Sequence, residues 1–137
     1  GRVVSVAYYT LVNINHINLA VQDHELHWHS IHQVGNMAFD HNEILNTCLI
    51  RLQERIKAEP IGFNLLPEKF SMRSLQLLYE SVLMVDLDRR NFRKKVMGTG
   101  LLIDMKELES DVPHRPAKLF KFNSEKYRQQ DIKGNFV

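Results

Sequence analysis

Asp88-Arg-Arg-Asn-Phe-Arg-Lys-Lys-Val-Met97, closed by Gly98 and Gly100, is the stretch on which the reading of this chain turns. Asp88 is a helix N-cap residue, because its carboxylate can accept from the otherwise unsatisfied amides of the first turn, and glycines of this kind end helices. With Phe92 at zero on a helical wheel, Val96 lies at about 40°, while Arg93, Arg90 and Lys94 lie at about 100°, 160° and 200°. The apolar side is opposite the basic one. A helix docked through Phe92 and Val96 therefore presents Arg90, Arg93 and Lys94 outward, flanked by Arg89, Asn91 and Lys95. Arginine pairs bidentately with guanine and asparagine with adenine, and lysine holds phosphates, so these residue types suit a helix lying in the major groove of DNA. A basic run taken alone reads more readily as a solvated helix face. The segments around it decide between the two.

Upstream, Ser71 is an N-cap with Phe70 and Leu75 in staple positions, and Leu75, Leu78, Tyr79 and Val82 form the apolar stripe of a helix reaching about Leu83. Met84 to Leu87 make a short break. Downstream, Leu101 to Met105 and Ala117-Lys-Leu-Phe-Lys-Phe122 are strand-like runs that can pair as a hairpin across an irregular acidic stretch to Asp111. Helix, tight break, basic helix, strand, loop, strand is the order of a winged helix-turn-helix. Arg115, beside Pro116 at the start of the last strand, stands where a wing touches the DNA backbone or minor groove. The tail from Ser124 is polar and reads as fraying.

Further upstream, Glu59-Pro-Ile-Gly-Phe-Asn-Leu-Leu-Pro67 interrupts any helical pattern with two prolines and a glycine, and marks a junction between residues 1–59 and 60–137. Before it, Asp40 caps a helix with Glu43 at the capping-box position, Phe39 and Ile44 as a staple, and an apolar stripe of Ile44, Leu45, Cys48, Leu49, Leu52 and Ile56. Residues 2–12 read as a strand covered on both faces, which needs neighbours to pair with. Residues 24–31 alternate like a half-buried strand, with Leu26 and Trp28 on one face and His27 and His29 on the other. His24, His27, His29, His32 and His41 raise a metal reading, but no His-x3-His or His-Glu-x-x-His pattern supports it, and a polar strand face accounts for them. Cys48, on its helix's apolar stripe, reads as an inert core thiol.

Composition narrows the classes. The 137 residues are 44% hydrophobic and 25% charged, so the chain can build a core and is not a disordered tail. No apolar run approaches the roughly 18 residues of a membrane span, nor does a signal peptide open the chain, which reads as cytoplasmic. One cysteine excludes both an intrachain disulfide and a multi-thiolate zinc site. The net charge of +2 hides an asymmetry, because thirteen of the eighteen Lys and Arg residues lie after position 70. An excess of positive charge in one half points to a polyanion partner there. No phosphate-binding loop, nucleophile elbow or paired catalytic residues appear.

Several of these motifs, in this order, resemble a known family. Glu59-Pro-Ile-Gly-Phe-Asn-Leu-Leu-Pro67, Leu75-Gln-Leu-Leu-Tyr-Glu80, Leu87-Asp-Arg-Arg-Asn-Phe-Arg-Lys-Lys95, Thr99-Gly-Leu-Leu102 and His114-Arg-Pro-Ala-Lys-Leu119 are similar to the C-terminal winged-helix domain of Nudix-related transcriptional regulators. Gly1-Arg-Val-Val-Ser-Val-Ala-Tyr-Tyr9 and Phe39-Asp-His41 resemble the later part of that family's Nudix-like domain. The resemblance implies an α+β fold, part of a Nudix-like α/β sandwich followed by a winged helix-turn-helix. It implies a homodimer that binds an inverted-repeat operator in double-stranded DNA and responds to a small-molecule effector, an ADP-ribose-like nucleotide or a pentose. Arg89, Arg90, Asn91, Arg93, Lys94 and Lys95 would then be the recognition-helix residues and Arg115 the wing residue, with no cofactor in this chain, magnesium only if an upstream Nudix box exists, and no membrane partner. The carboxylate-rich Nudix box that binds magnesium is absent from these residues, and on the resemblance it would precede Gly1. The alternative is a Nudix hydrolase of nucleoside diphosphate derivatives with a winged-helix appendage. Glu107, Glu109 and Asp111 in the wing are a departure, since they would repel phosphates unless turned away.

Overall fold

The computed structural model describes residues 6–10, 12 and 27–129. Residues 2–5 and 11 of the expected strand over residues 2–12, residues 24–26 of that over residues 24–31, with His24, and the end of the tail lie outside the described residues, while residues 6–10 and 12 are exposed and in no strand. The chain forms two compact units, Gly1–Arg51 and Leu52–Val137.

In the first unit, residues 27–30 are not in a strand, and a 3-10 turn follows at Ile31–Gln33. The alternation of side chains is present, but a strand needs a backbone partner, and among the described residues none pairs with this segment. Asn42 organises the loop ahead of the first helix, accepting from the Met37 amide at 2.7 Å and donating to the Gly35 carbonyl at 3.0 Å. That helix, α1, spans His41–Ala58 and starts directly after Asp40. The expected staple does not form. Phe39 takes a left-handed φ of 54°, which sends its ring into solvent at 95% exposure rather than onto Ile44. Ile44, Leu45, Cys48 and Leu49 are half-buried, so Cys48 is not a core thiol among the described residues.

The second unit takes in the end of α1, because Ile56 is fully buried in its core. Gly62 follows in a 3-10 turn, Ile61–Leu65, where a Cβ would come within 3.1 Å of Leu78. Strand β1 is only Phe70–Ser71, and leads directly into α2, Met72–Leu83. Ser71 caps α2 as its sequence position predicts, its hydroxyl accepting from the Ser74 amide at 3.2 Å. Helix α3 spans Arg89–Gly98, and β2, Leu102–Leu108, and β3, Lys118–Phe122, form the expected hairpin. The three strands order as β1-β3-β2, all antiparallel, with Phe70 opposite Phe120 and Leu102 opposite Phe122.

Three details differ from the expected pattern. Gly98 is still helical, and Gly100, with a φ of 65°, makes the left-handed turn that lets the chain leave α3 for β2. β2 continues past Met105 to Leu108 through an irregularity at Lys106, whose amide is taken by the Asp104 carboxylate at 2.8 Å. The tail forms a short helix, α4, over Ser124–Gln129, because the Asn123 side chain accepts from the Lys126 amide and the Tyr127 ring lies 5.9 Å from Phe122.

The core of this unit is Ile56, Phe63, Phe70, Met72, Leu75, Tyr79, Phe92, Val96, Leu101 and Phe120. Each large side chain of this kind contributes about 1.5–3 kcal/mol on full burial. Tyr79 and Phe92 pack at 5.7 Å between ring centroids, which joins α2 to α3 and fixes which face of α3 looks outward.

Candidate nucleic-acid interface

α3 begins where its sequence predicts. The Asp88 carboxylate accepts from the Asn91 amide at 2.8 Å, and Phe92 and Val96 are 3% and 0% exposed. Arg89, Arg90, Asn91, Arg93, Lys94 and Lys95 are all exposed. The turn before α3 is held from α2. Met84 adopts a left-handed cap, with its amide bonded to the Glu80 carbonyl. The Glu80 side chain accepts from the Leu87 amide at 3.1 Å and from Gln76 at 2.8 Å, while the Gln76 amide also donates to the Leu87 carbonyl at 2.8 Å. Gln76 is buried, so both of these contacts replace water. The Leu87 amide, then Gln76, hold the Glu80 carboxyl below its ordinary pKa.

The cations divide sharply by partner. Among the described residues no ion pair engages Arg89, Arg90, Arg93, Lys94, Lys95 or Arg115. Three cations on the sheet side are matched instead, while Lys106 in β2 has no ion pair among the described residues. Lys69 pairs with Glu107 at 2.7 Å, Lys118 with Asp104 at 3.4 Å, and Lys121 with Glu68. Hydrogen bonding to Lys121 holds the Glu68 carboxyl low, and the Lys106 amide, ahead of Lys118, does the same for Asp104.

The structure sorts the expected site residues into three strips. Arg89 and Arg93 face a cleft of about 350 Å³, where Arg115 of the wing joins them. Asn91 and Lys95 lie on the other flank, beside Leu87 and Asp88. Arg90 and Lys94 project between the two, opposite Phe92 and Val96. Arg73 and Lys118 also line the cleft, and sequence reasoning missed both. Lys118 is three residues from Arg115, but nothing local in the sequence places Arg73, on α2, beside the wing.

The wing's carboxylates do not confront the cleft. Glu107 is held by Lys69, and Glu109 closes the wing, its carboxylate accepting from the Ala117 amide at 3.1 Å while its own amide donates to the Ala117 carbonyl at 2.9 Å. Among the described residues no three His, Cys, Asp or Glu side chains stand close enough to hold a metal, and no helix is long and apolar enough to cross a membrane.

Two helices joined by a tight turn, the second carrying an exposed basic face, followed by a β-hairpin wing, define a winged helix-turn-helix. Residues 62–122 match the family model of the NrtR DNA-binding winged helix domain, and this part of the chain is similar to that domain. The whole chain is similar to the ADPR responsive transcriptional repressor NtrR of Acinetobacter baylyi, 27% identical over 130 residues, covering 93% of this chain and 52% of that protein. The chain thus spans about half the length of that curated relative. Among solved structures it is similar to Shewanella oneidensis NrtR in complex with a 27mer DNA, with a TM-score of 0.54 and 28% identity over 64% of this chain and 39% of that one. A second structure of the Shewanella oneidensis protein matches with a TM-score of 0.52 at the same identity and coverage.

Proposed function

We propose that this chain is the DNA-binding part, with a segment of the sensing region, of a metabolite-responsive transcription regulator that binds an inverted-repeat operator as a homodimer. The observation that carries this reading is the exposed face of α3, with five cations and no ion pair among the described residues, set opposite its buried Phe92 and Val96. The solved relative in complex with a 27mer DNA supports the same use of the fold. Arg90 and Lys94, on the outermost strip, enter the major groove furthest. Arg93 and Asn91 reach base edges or backbone from either side, with Arg89, Lys95 and Arg115 on phosphates. One such helix reads a single half-site, so two copies on an inverted repeat supply the discrimination a regulator needs.

The effector in this reading is an ADP-ribose-like nucleotide rather than a pentose, since the Acinetobacter relative is named as ADPR responsive. Effector and operator are then coupled by about 1–3 kcal/mol in either direction. Phosphates are met by guanidinium and ammonium groups, so DNA binding needs no metal and survives EDTA.

Selection of bound duplexes from a random library, followed by fluorescence anisotropy, tests the reading. Enrichment of an inverted repeat, with affinity altered by ADP-ribose, is the expected result. Equal affinity for selected and scrambled duplexes would overturn it.

A further inference from the structure

The cleft beside α3 contains two cations that the proposed reading leaves without a role. Arg73 and Lys118 line it together with Arg89, Arg93 and Arg115, over a floor that includes the buried Met72 and Phe120. No carboxylate lines this cleft. Five like charges converging on one apolar-floored space repel one another, and an anion placed among them relieves that repulsion.

The ion pairs of these two residues differ from the others. Arg73 reaches Glu80 only at 3.9 Å and Lys118 reaches Asp104 only at 3.4 Å, whereas Arg55–Glu59 closes at 3.0 Å and Lys69–Glu107 at 2.7 Å. Among the described ion pairs the two loosest are thus those whose cations face the cleft. A separation of 3.9 Å is beyond hydrogen-bond range. Both acids also have other partners. Glu80 keeps the Leu87 amide and Gln76, and Asp104 keeps the Lys106 amide, so neither is stranded when its cation leaves. The Arg73 and Lys118 side chains are 57% and 62% exposed, which leaves their ends able to swing.

We propose that the cleft is a phosphodiester site, in which Arg73 and Lys118 exchange Glu80 and Asp104 for phosphates of one DNA strand while α3 occupies the adjoining groove. This rests on the DNA-binding reading and assigns it two further residues, one from α2 and one from β3. Backbone rather than base edges is the occupant because the cleft lies to the side of α3, away from the outermost strip of Arg90 and Lys94. Guanidinium forks and an ammonium group match phosphate oxygens there without regard to sequence.

The test is the salt dependence of duplex binding by the whole chain, on the selected operator and on a scrambled duplex. Arg73→Gln and Lys118→Gln should each lower the slope of log K against log salt by about 0.9, on both duplexes alike. Arg73→Lys should restore most of the slope, and Lys69→Gln, which removes a charge outside the cleft, should leave it unchanged. Asp104→Asn, which releases Lys118, should strengthen binding more than Glu107→Gln, which removes an equal charge elsewhere. Thermal unfolding of each variant separates loss of contact from loss of fold. Wild-type binding with slopes unchanged in both Gln variants would overturn the phosphodiester site alone, whereas no wild-type binding to any duplex would remove the DNA reading itself. Inorganic pyrophosphate and ADP-ribose at constant ionic strength form the remaining arm. Binding of either that depends on Arg73 and Lys118 and displaces duplex would assign the cleft to a free nucleotide and overturn the proposal.

Discussion

α3 and the three-stranded sheet both carry several cations, yet they treat them in opposite ways. On the sheet side, Lys69, Lys118 and Lys121 each meet a carboxylate. On α3, Arg89 and Arg93, and likewise Arg90 and Lys94, stand one turn apart as like charges with no ion pair among the described residues. Like pairs at this spacing cost about 0.2–0.5 kcal/mol each, and cations in the first turn also oppose the helix dipole. The sheet's paired charges favour its own fold, whereas those of α3 work against theirs. A count of charges would have marked both regions. The one that gives up stability meets an external anion without first breaking an ion pair, which is the pattern expected where function overrides local consistency.

Loss of the packing that aims α3 should have the largest effect. Phe92→Ala removes the ring beside Tyr79 and should cost about 3–5 kcal/mol in urea unfolding, taking DNA binding with it and erasing the contrast between the regions. Arg90→Ala sharpens the contrast instead. It should weaken specific binding by about 1–3 kcal/mol and relax discrimination at one operator position, while folding stability stays level or rises slightly. Lys121→Ala, in the sheet, should shift operator affinity by less than about 0.5 kcal/mol. Anisotropy and thermal melts on the two variants, run side by side, would break the comparison if they behaved alike.

Asp88→Ala should cost about 1 kcal/mol of stability through loss of the α3 cap, and amide hydrogen exchange should quicken first around Asn91. The smallest effect is a pH dependence. The Glu80 carboxyl titrates below its ordinary 4.5 because the Leu87 amide and Gln76 stabilise its charged form. Such a group adds stability above its unfolded pKa, and that stability is lost as pH falls through the folded value. Wild type should therefore lose stability below pH 4.5 more steeply than Glu80→Gln, as read by unfolding midpoints across that range.

Much of the winged helix was legible in the chain because its signals are local. The caps of α2 and α3 are hydrogen bonds between residues three apart, Ser71 to Ser74 and Asp88 to Asn91. The buried pair Phe92 and Val96 follows from helical spacing alone, as does the outward placement of the six polar residues around it. Where a feature depends on a partner far along the chain, the pattern misled or was silent. β1 exists only because Phe70 and Ser71 meet Phe120 and Leu119, and the alternating residues 27–30 have no such partner among the described residues. The staple at Phe39 had the right residues and the wrong backbone, since a left-handed φ reverses the direction of the ring.

The candidate site divides along the same line. Residue types and a 3.6-residue period were enough to determine that α3 has a basic face, because a helix sets the direction of every side chain once one face is buried. That Arg73, Arg93, Arg115 and Lys118 share one cleft was decided by the tertiary structure, through the packing of α2 on α3 and the pairing of β3 between β1 and β2. Convergence of residues more than forty positions apart depends on core contacts and strand register, and neither is written in the spacing of the residues that converge.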